Sequence, residues 1–414
     1  MGGLISNQKI DKKMRNYARI VLAQDFQNVL DIDICCGNFY IMRNNKKTLY
    51  SSWRHNGCVK NKYLNLNGIS SSIYSFNDAT TKVEDFKRDE FTTVKLFPRA
   101  KIIGSNDFEK LILSDEFDFD VVNFHLMWMT DKNTILKALK KKKIPYIITV
   151  HGAYAPNLID NLKKKISMLT LEGNFLKNAN ALHALCNEEK VYLKDLKLEM
   201  PIYTIPNGIG DVEIEKIKNS NMLENPFEKE FINILWVGRI REDKNVIGIV
   251  ESLKFLNKDI KEKIRIHIVG NGIESYIKKV NTVVKNNSLE KYVIFHGPKY
   301  KEEKYQYILN CDIYMQPSFS EGVSFSILDA MICERPMILS RQTNMTYFYN
   351  KNFYLMTEPY PEDIAKAITQ LSSNEELMAE FSKNSKKLVQ EYFNWEKLIY
   401  EYIDMYNEVK VKND

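Results

Sequence analysis

Short apolar runs alternate with helix-patterned stretches along most of this chain, and that alternation limits its fold more than any other feature. DVVNFH at 120–125, PYIITV at 145–150, INILWV at 232–237, IRIHIV at 264–269 and VIF at 293–295 are the clearest runs. Each ends at a glycine, a histidine or a polar turn. A strand buried on both faces needs apolar residues on both, and a parallel neighbour needs a crossover helix between them. The pattern therefore predicts parallel βαβ units and an α/β fold. No internal repeat interrupts it.

The chain has 414 residues, more than one ordinary core holds. The best boundary is Ile205-Pro206-Asn207-Gly208, followed by a polar stretch to about Lys229. This divides the chain into a first domain over 1–208, a linker over 209–229 and a second domain over 230–394. Residues 395–414 follow as an amphipathic terminal helix. The first strand has two candidates, residues 18–22 and residues 29–35. The net charge of +6 gives no reason to expect nucleic-acid binding. The six cysteines form no CxxC pair, which suits reduced thiols and no zinc site. No apolar run reaches the length of a membrane span, and no signal peptide opens the chain. Met1-Gly2-Gly3-Leu4-Ile5-Ser6 fits the short myristoylation pattern.

Open α/β sheets bind ligands beyond the carboxyl ends of their strands. After Val237 comes Gly238-Arg239-Ile240-Arg241-Glu242-Asp243-Lys244, in which Arg239 and Lys244 suit a diphosphate or simply face solvent. After Val269 comes Gly270-Asn271-Gly272, better read as a tight turn than as a dinucleotide fingerprint. After Met315 come Gln316-Pro317-Ser318-Phe319 and then SEGVSFSILDAM at 320–331. Gly322, Val323 and Ser324 would present amides to an anion at a helix start. Glu321 would be repelled by a diphosphate, so vicinal sugar hydroxyls are its natural partner. Asp329, about two turns on, either accepts from ribose hydroxyls or closes the helix start as a capping box with Ser326.

In the first half, His151 and Gly152 follow the strand at 145–150. They fit a site at an interdomain cleft, or a satisfied structural histidine. His125 and Trp128 follow the preceding strand and read as packing. The triplets Asp31-Ile32-Asp33 and Asp118-Phe119-Asp120 read as strand-edge polars more readily than as metal ligands. The lysines at 140–143 and 163–165 suit a solvated face or an anionic membrane surface.

Together, Gly238-Arg239, Lys244, Pro317-Ser318, Glu321-Gly322, Asp329-Ala330-Met331 and Pro336 resemble the GT-B glycosyltransferases of family 4, a retaining family. Pro206-Asn207-Gly208-Ile209 resembles the family's interdomain segment. The span from His151-Gly152 through Ala181, His183 and Glu188-Glu189 is similar to its histidine loop and following strand. Phe393-Asn394-Trp395 looks like the start of its returning terminal helix. The resemblance runs from about residue 118 to 409. It implies two Rossmann-like domains whose parallel sheets face a central cleft, with a nucleotide-sugar held by the second and an acceptor by the first.

Carried over, Arg239 and Lys244 bind the diphosphate and stabilise its departure, and Glu321 contacts the sugar. Gly322, Val323 and Ser324 offer amides, Asp329 binds the ribose, and His151 sits beside the reacting sugar. Gly2, Gly3, Gly238 and Gly270 fall on the donor side, and His125 and Gly152 on the acceptor side. The resemblance implies sugar transfer with retention, from a UDP-sugar or GDP-sugar to a glycan or lipid-linked acceptor, as in bacterial surface polysaccharide assembly. It requires no metal and no further cofactor, and places the protein in the cytoplasm or at the inner face of the membrane. A catalytically silent partner subunit and a nucleotide-sugar epimerase are the alternatives on the same fold. Three residues depart from the pattern: Asp329 replaces the usual glutamate, and Asn245 and Glu334 stand where glycine is common.

Overall fold

The computed structural model describes residues 42–43, 46–47, 52–77, 83–87, 93–98, 107–125, 132–159 and 162–411. Both candidate first strands, Gly2, Gly3, the Asp31-Ile32-Asp33 triplet and Trp128 lie outside the described residues.

Strands β1 (Ile73–Asn77), β2 (Glu84–Lys87) and β3 (Thr93–Pro98) form a small sheet in the order β1-β3-β2. Strands β4 (Val122–Phe124), β5 (Tyr146–Thr149), β6 (Ala181–Ala184) and β7 (Ile202–Thr204) form a second sheet in chain order, every pair parallel. A larger parallel sheet follows. It holds β8 (Ile232–Val237), β9 (Ile264–Val269), β10 (Val293–Gly297), β11 (Ile313–Gln316), β12 (Met337–Ser340) and β13 (Tyr354–Thr357). Its order is β10-β9-β8-β11-β12-β13. The chain winds outward one way from β8 and then restarts beside it at β11. That reversal opens a crevice beyond the carboxyl ends of β8 and β11.

The unbroken apolar runs read in the sequence are explained by two-sided burial. On β8, Ile234 and Trp236 enter one core, and Leu235 and Val237 enter another on the opposite face. A strand with period two can do this only if both neighbours in sequence are apolar.

The polar stretch read as a linker contains a helix, Asp211–Ser220. Gly210 N–H donates to Glu213 at 3.0 Å, and Ser220 Oγ donates to the Glu302 carbonyl at 2.8 Å. The helix packs on the second half through Ile217 and the buried polar residue Ser220, so its sequence looks mostly polar.

The terminal helix, Trp395–Val411, returns to the first half. Trp395, Leu398, Ile399, Tyr402, Met405 and Val409 pack with Val59, Tyr63, Ile147, Ala181 and Ile205. Their three- and four-residue spacing is one face of a helix. Where the chain crosses back, Ile209 N–H donates to the Phe393 carbonyl at 2.6 Å and Trp395 N–H to the Ile209 carbonyl at 3.1 Å. The two crossings between halves thus run side by side.

Candidate active site

The crevice at the strand reversal collects most of the residues singled out in the sequence. Lys244 sits on a short 3-10 turn after β8, and Glu321 on the loop after β11. Lys244 Nζ lies 2.7 Å from Glu321 Oε2, 3.3 Å from Asp243 Oδ2 and 3.2 Å from the Ser320 carbonyl. Burial opposes the charge on Lys244, but the carboxylates of Glu321 and Asp243 outweigh it and hold the ammonium above the ordinary lysine range. Groups assigned to a diphosphate and to a sugar therefore stand next to each other.

Glu321 is positioned by a residue the sequence reading passed over. Gln316, buried at the end of β11, donates from Nε2 to Glu321 Oε1 at 2.5 Å and to Ser324 Oγ at 3.1 Å. Its Oε1 accepts from Tyr314 OH at 2.8 Å and Ser326 Oγ at 3.1 Å. All four hydrogen-bond positions of the amide are used, which fixes its orientation. Ser318 Oγ adds a 2.9 Å bond to Glu321 Oε1. The only sequence signal for this role is a polar residue closing an apolar run.

Gly322, Val323 and Ser324 precede the helix Phe325–Ile332, with Ser324 at its N-cap. Asp329 is the fifth residue of that helix, so it does not close the helix start. The capping-box alternative is corrected on that ground. Asp329 is buried, and its carboxylate is engaged on both oxygens, by Tyr305 OH at 2.5 Å and Lys304 Nζ at 2.6 Å.

Gly238 and Gly270 bring two loops together. A Cβ on Gly270 would lie 1.9 Å from the Gly238 carbonyl oxygen, so only glycine lets these backbones meet. Arg239 is exposed on the turn that follows Gly238.

From the first half, His151 and Gly152 reach the same crevice. A Cβ on Gly152 would lie 3.8 Å from the Gly322 Cα and 3.6 Å from Glu189 Oε1. Both loop residues have left-handed backbones, with φ of +48° at His151 and +73° at Gly152. For histidine that conformation is strained, and such strain gathers at functional sites. His151 Nε2 lies 2.7 Å from His125 Nδ1, so His125 takes part in a polar chain and does not merely pack. Burial, with Lys60 nearby, pushes both imidazoles well below the usual histidine range. Glu189 spans the junction. Its Oε2 accepts from Leu185 N–H at 2.7 Å, and burial raises its carboxyl to about 7. Asn207 Nδ2 donates across the halves to the Val323 carbonyl at 3.4 Å.

Away from the crevice, Asp120 pairs with Lys410 at 2.9 Å on the outer surface. No group of three metal-ligating side chains occurs among the described residues.

Residues 218–388 match the family model of group 1 glycosyl transferases, and residues 62–211 match that of glycosyltransferase family 4. The chain belongs to the group 1 glycosyltransferases of family 4. An uncharacterized glycosyltransferase of Methanocaldococcus jannaschii is 26% identical over 334 residues, 77% of this chain and 83% of that one. A UDP-Gal:alpha-D-GlcNAc-diphosphoundecaprenol alpha-1,3-galactosyltransferase of Escherichia coli is 24% identical over 71% of this chain and 76% of its own. Among solved structures, sucrose-phosphate synthase from Thermosynechococcus elongatus superposes with a TM-score of 0.71 at 15% identity, covering 87% of this chain and 94% of the other. The fold of this glycosyltransferase is GT-B.

Proposed function

We propose that this glycosyltransferase moves a sugar from a UDP-sugar or GDP-sugar, with retention of configuration, to a glycan or lipid-linked glycan acceptor. The observation that carries the reading is the Lys244–Glu321 pair at the strand reversal, with the Gly322–Ser324 amides beside it. A departing diphosphate gathers negative charge. Fixed cations and backbone amides stabilise that charge without reorganising as it forms. Arg239 and Lys244 provide the cations, Glu321 reads the sugar hydroxyls, and the His151–Gly152 loop closes the other side. In this reading the leaving phosphate takes the acceptor proton on the same face of the sugar, and no metal or other cofactor takes part.

The E. coli relative, named for a UDP-sugar and a lipid-linked acceptor, favours UDP and an acceptor of that class. The helix Leu162–Leu169 supports work at an anionic membrane surface. It buries no residue, carries Lys163, Lys164 and Lys165, and leaves Leu162 and Leu169 72% and 79% exposed. No helix among the described residues is long and apolar enough to cross a membrane. The site of action in this reading is the cytoplasmic face.

Thermal unfolding with UDP and GDP, followed by turnover of the matching sugars with lipid-linked acceptors in anionic vesicles, tests the proposal. The favoured nucleotide at about a hundred times its Kd should stabilise the protein by about 2.7 kcal/mol. Glu321→Ala should keep the fold and lose turnover by at least about a hundredfold. Lys244→Ala should lose the nucleotide shift. An unchanged rate in Glu321→Ala would sink the assignment.

A further inference from the structure

Lys60 belongs to the helix Ser52–Leu66, remote from every motif in the sequence, yet it is 8% exposed and stands behind the site. Its Nζ lies 3.2 Å from His125 Nε2 and 3.2 Å from Tyr406 OH. It also sits over the Tyr402 ring at 5.1 Å and the Tyr406 ring at 5.9 Å. Both tyrosines come from the terminal helix, so three distant parts of the chain meet at one ammonium.

A lysine ammonium has three donors and no acceptor. His125 must therefore turn a lone pair toward it from Nε2. In a neutral imidazole the proton then sits on Nδ1. That nitrogen lies 2.7 Å from His151 Nε2, so it donates and His151 Nε2 accepts. His151 in turn carries its proton on Nδ1. The opposite tautomer of His125 would point an N–H at the ammonium, placing two donors head to head.

We propose that Lys60 is a positioning residue that, through His125, fixes His151 as the Nδ1-protonated tautomer, a hydrogen-bond donor and not a base. His151 is buried and His125 half-buried, both near the Lys60 cation, which keeps them neutral and the relay intact. The tautomer stands on geometry alone. Its use rests on the proposed sugar transfer, where the departing phosphate oxygens carry no proton and an N–H, but not a lone pair, can bind them. His151 then orients substrate and leaves the acceptor proton to the departing phosphate.

The test is a long-range proton–nitrogen correlation on the full chain labelled with 15N-histidine, with His125→Asn and His151→Asn variants to assign the rings. Wild type should show both rings protonated on Nδ1, against the Nε2–H form that imidazole favours in water. Lys60→Met keeps the stem against the tyrosines and removes the donor, and should return His125 and His151 toward Nε2–H. Tyr406→Phe keeps the ammonium on His125 and should leave the wild-type pattern. His125 protonated on Nε2 in wild type overturns the proposal, whether or not Lys60→Met folds. So does a folded Lys60→Met with unchanged tautomers, or a Tyr406→Phe pattern that changes. Turnover is read separately, so an error in the proposed substrate leaves the tautomer result standing.

Discussion

Asp329 shows what a single substitution at a recognisable position does to its surroundings. The shorter acid sits in the helix Phe325–Ile332 with its side chain 5% exposed, and Lys304 reaches over from the helix Lys301–Asn310 to pair with it. Removing one partner of such a pair strands a charge, which costs more than the intact pair contributes. Lys304→Met should therefore destabilise the protein by about 1–3 kcal/mol, the lower range reflecting the quarter exposure of Lys304. Asp329→Asn in the same chain should recover more than half of that. Urea unfolding of the two singles and the double reads the coupling. Additive losses would show that the 2.6 Å contact carries no energy. If Asp329 also holds the ribose, Lys304→Met should raise the Kd for UDP more than that for pyrophosphate. Glu321 and Lys244 were legible in the sequence because each follows an apolar run that ends at the crevice. Lys304, Gln316 and Lys60 were not. Each acts on a residue that another element supplies, and nothing local marks a lysine as a partner of a carboxylate 25 positions away or of a histidine 65 positions away.

Backbone conformation explains two departures from the family pattern at the level of elements. Asn245 and Glu334 stand where glycine is common, and both have left-handed φ, +58° and +57°. Both positions hold a backbone that glycine adopts without strain, and at Asn245 hydrogen bonds hold the side chain in place. Asn245 Oδ1 accepts from Gly248 N–H at 3.2 Å, while its Nδ2 donates to the Pro317 and Pro359 carbonyls. Glu334 pairs with Lys386 at 2.6 Å. The alternation of strands and helices was readable because two-sided burial writes itself into every residue of a strand. The helix Asp211–Ser220 was missed because it buries polar residues, Glu213 and Ser220, where an amphipathic pattern would show apolar ones. The crossing between halves was readable as Asn207-Gly208 and Trp395, though not the reason for its glycine. A Cβ on Gly208 would lie 3.0 Å from three atoms of the Trp395 ring. That ring is fully buried between Tyr63 at 6.2 Å and Tyr402 at 5.6 Å, so it cannot swing aside. Gly208→Ala should cost about 1–3 kcal/mol by overpacking. Trp395→Phe in the same chain should lower that cost, because the smaller ring makes room for the methyl group. Denaturant midpoints of the singles and the double measure it, and a Gly208→Ala protein as stable as wild type would mean that the crossing is looser than its contacts.

Among the described residues five histidines are held neutral, and together they make the protein sensitive to acid. His183 Nε2 donates to the Ile205 carbonyl at 2.8 Å, its Nδ1 lies 2.9 Å from Thr149 Oγ1, and burial lowers it to about 3. His267 contacts Asn233 and His296, and burial lowers it to about 3 and His296 to about 4. His125 and His151 are pushed down in the same direction. A histidine whose folded pKa lies below its unfolded value binds its proton more weakly when folded. Its contribution is complete above the unfolded pKa of about 6.5 and is lost as pH falls below that value. At pH 5.5 His183 and His267 should together cost about 3 kcal/mol, and His296, screened in part by solvent, and the other two add to the loss. Glu189 works the other way. Its folded pKa of about 7 lies above the unfolded value, so it stabilises at low pH and loses that contribution as pH rises through 7. Between pH 7 and 5.5 it should give back about 1–2 kcal/mol. Urea unfolding at pH 7.5 and 5.5 should therefore show a net loss on acidification of several kcal/mol, a large share of an ordinary domain's stability. Glu189→Gln removes the opposing group, so the same acidification should cost this variant more than wild type. A flat stability between the two pH values would mean that the histidines are not held neutral. A Glu189→Gln loss equal to that of wild type would mean that the carboxyl at the junction of the two halves titrates as an ordinary glutamate.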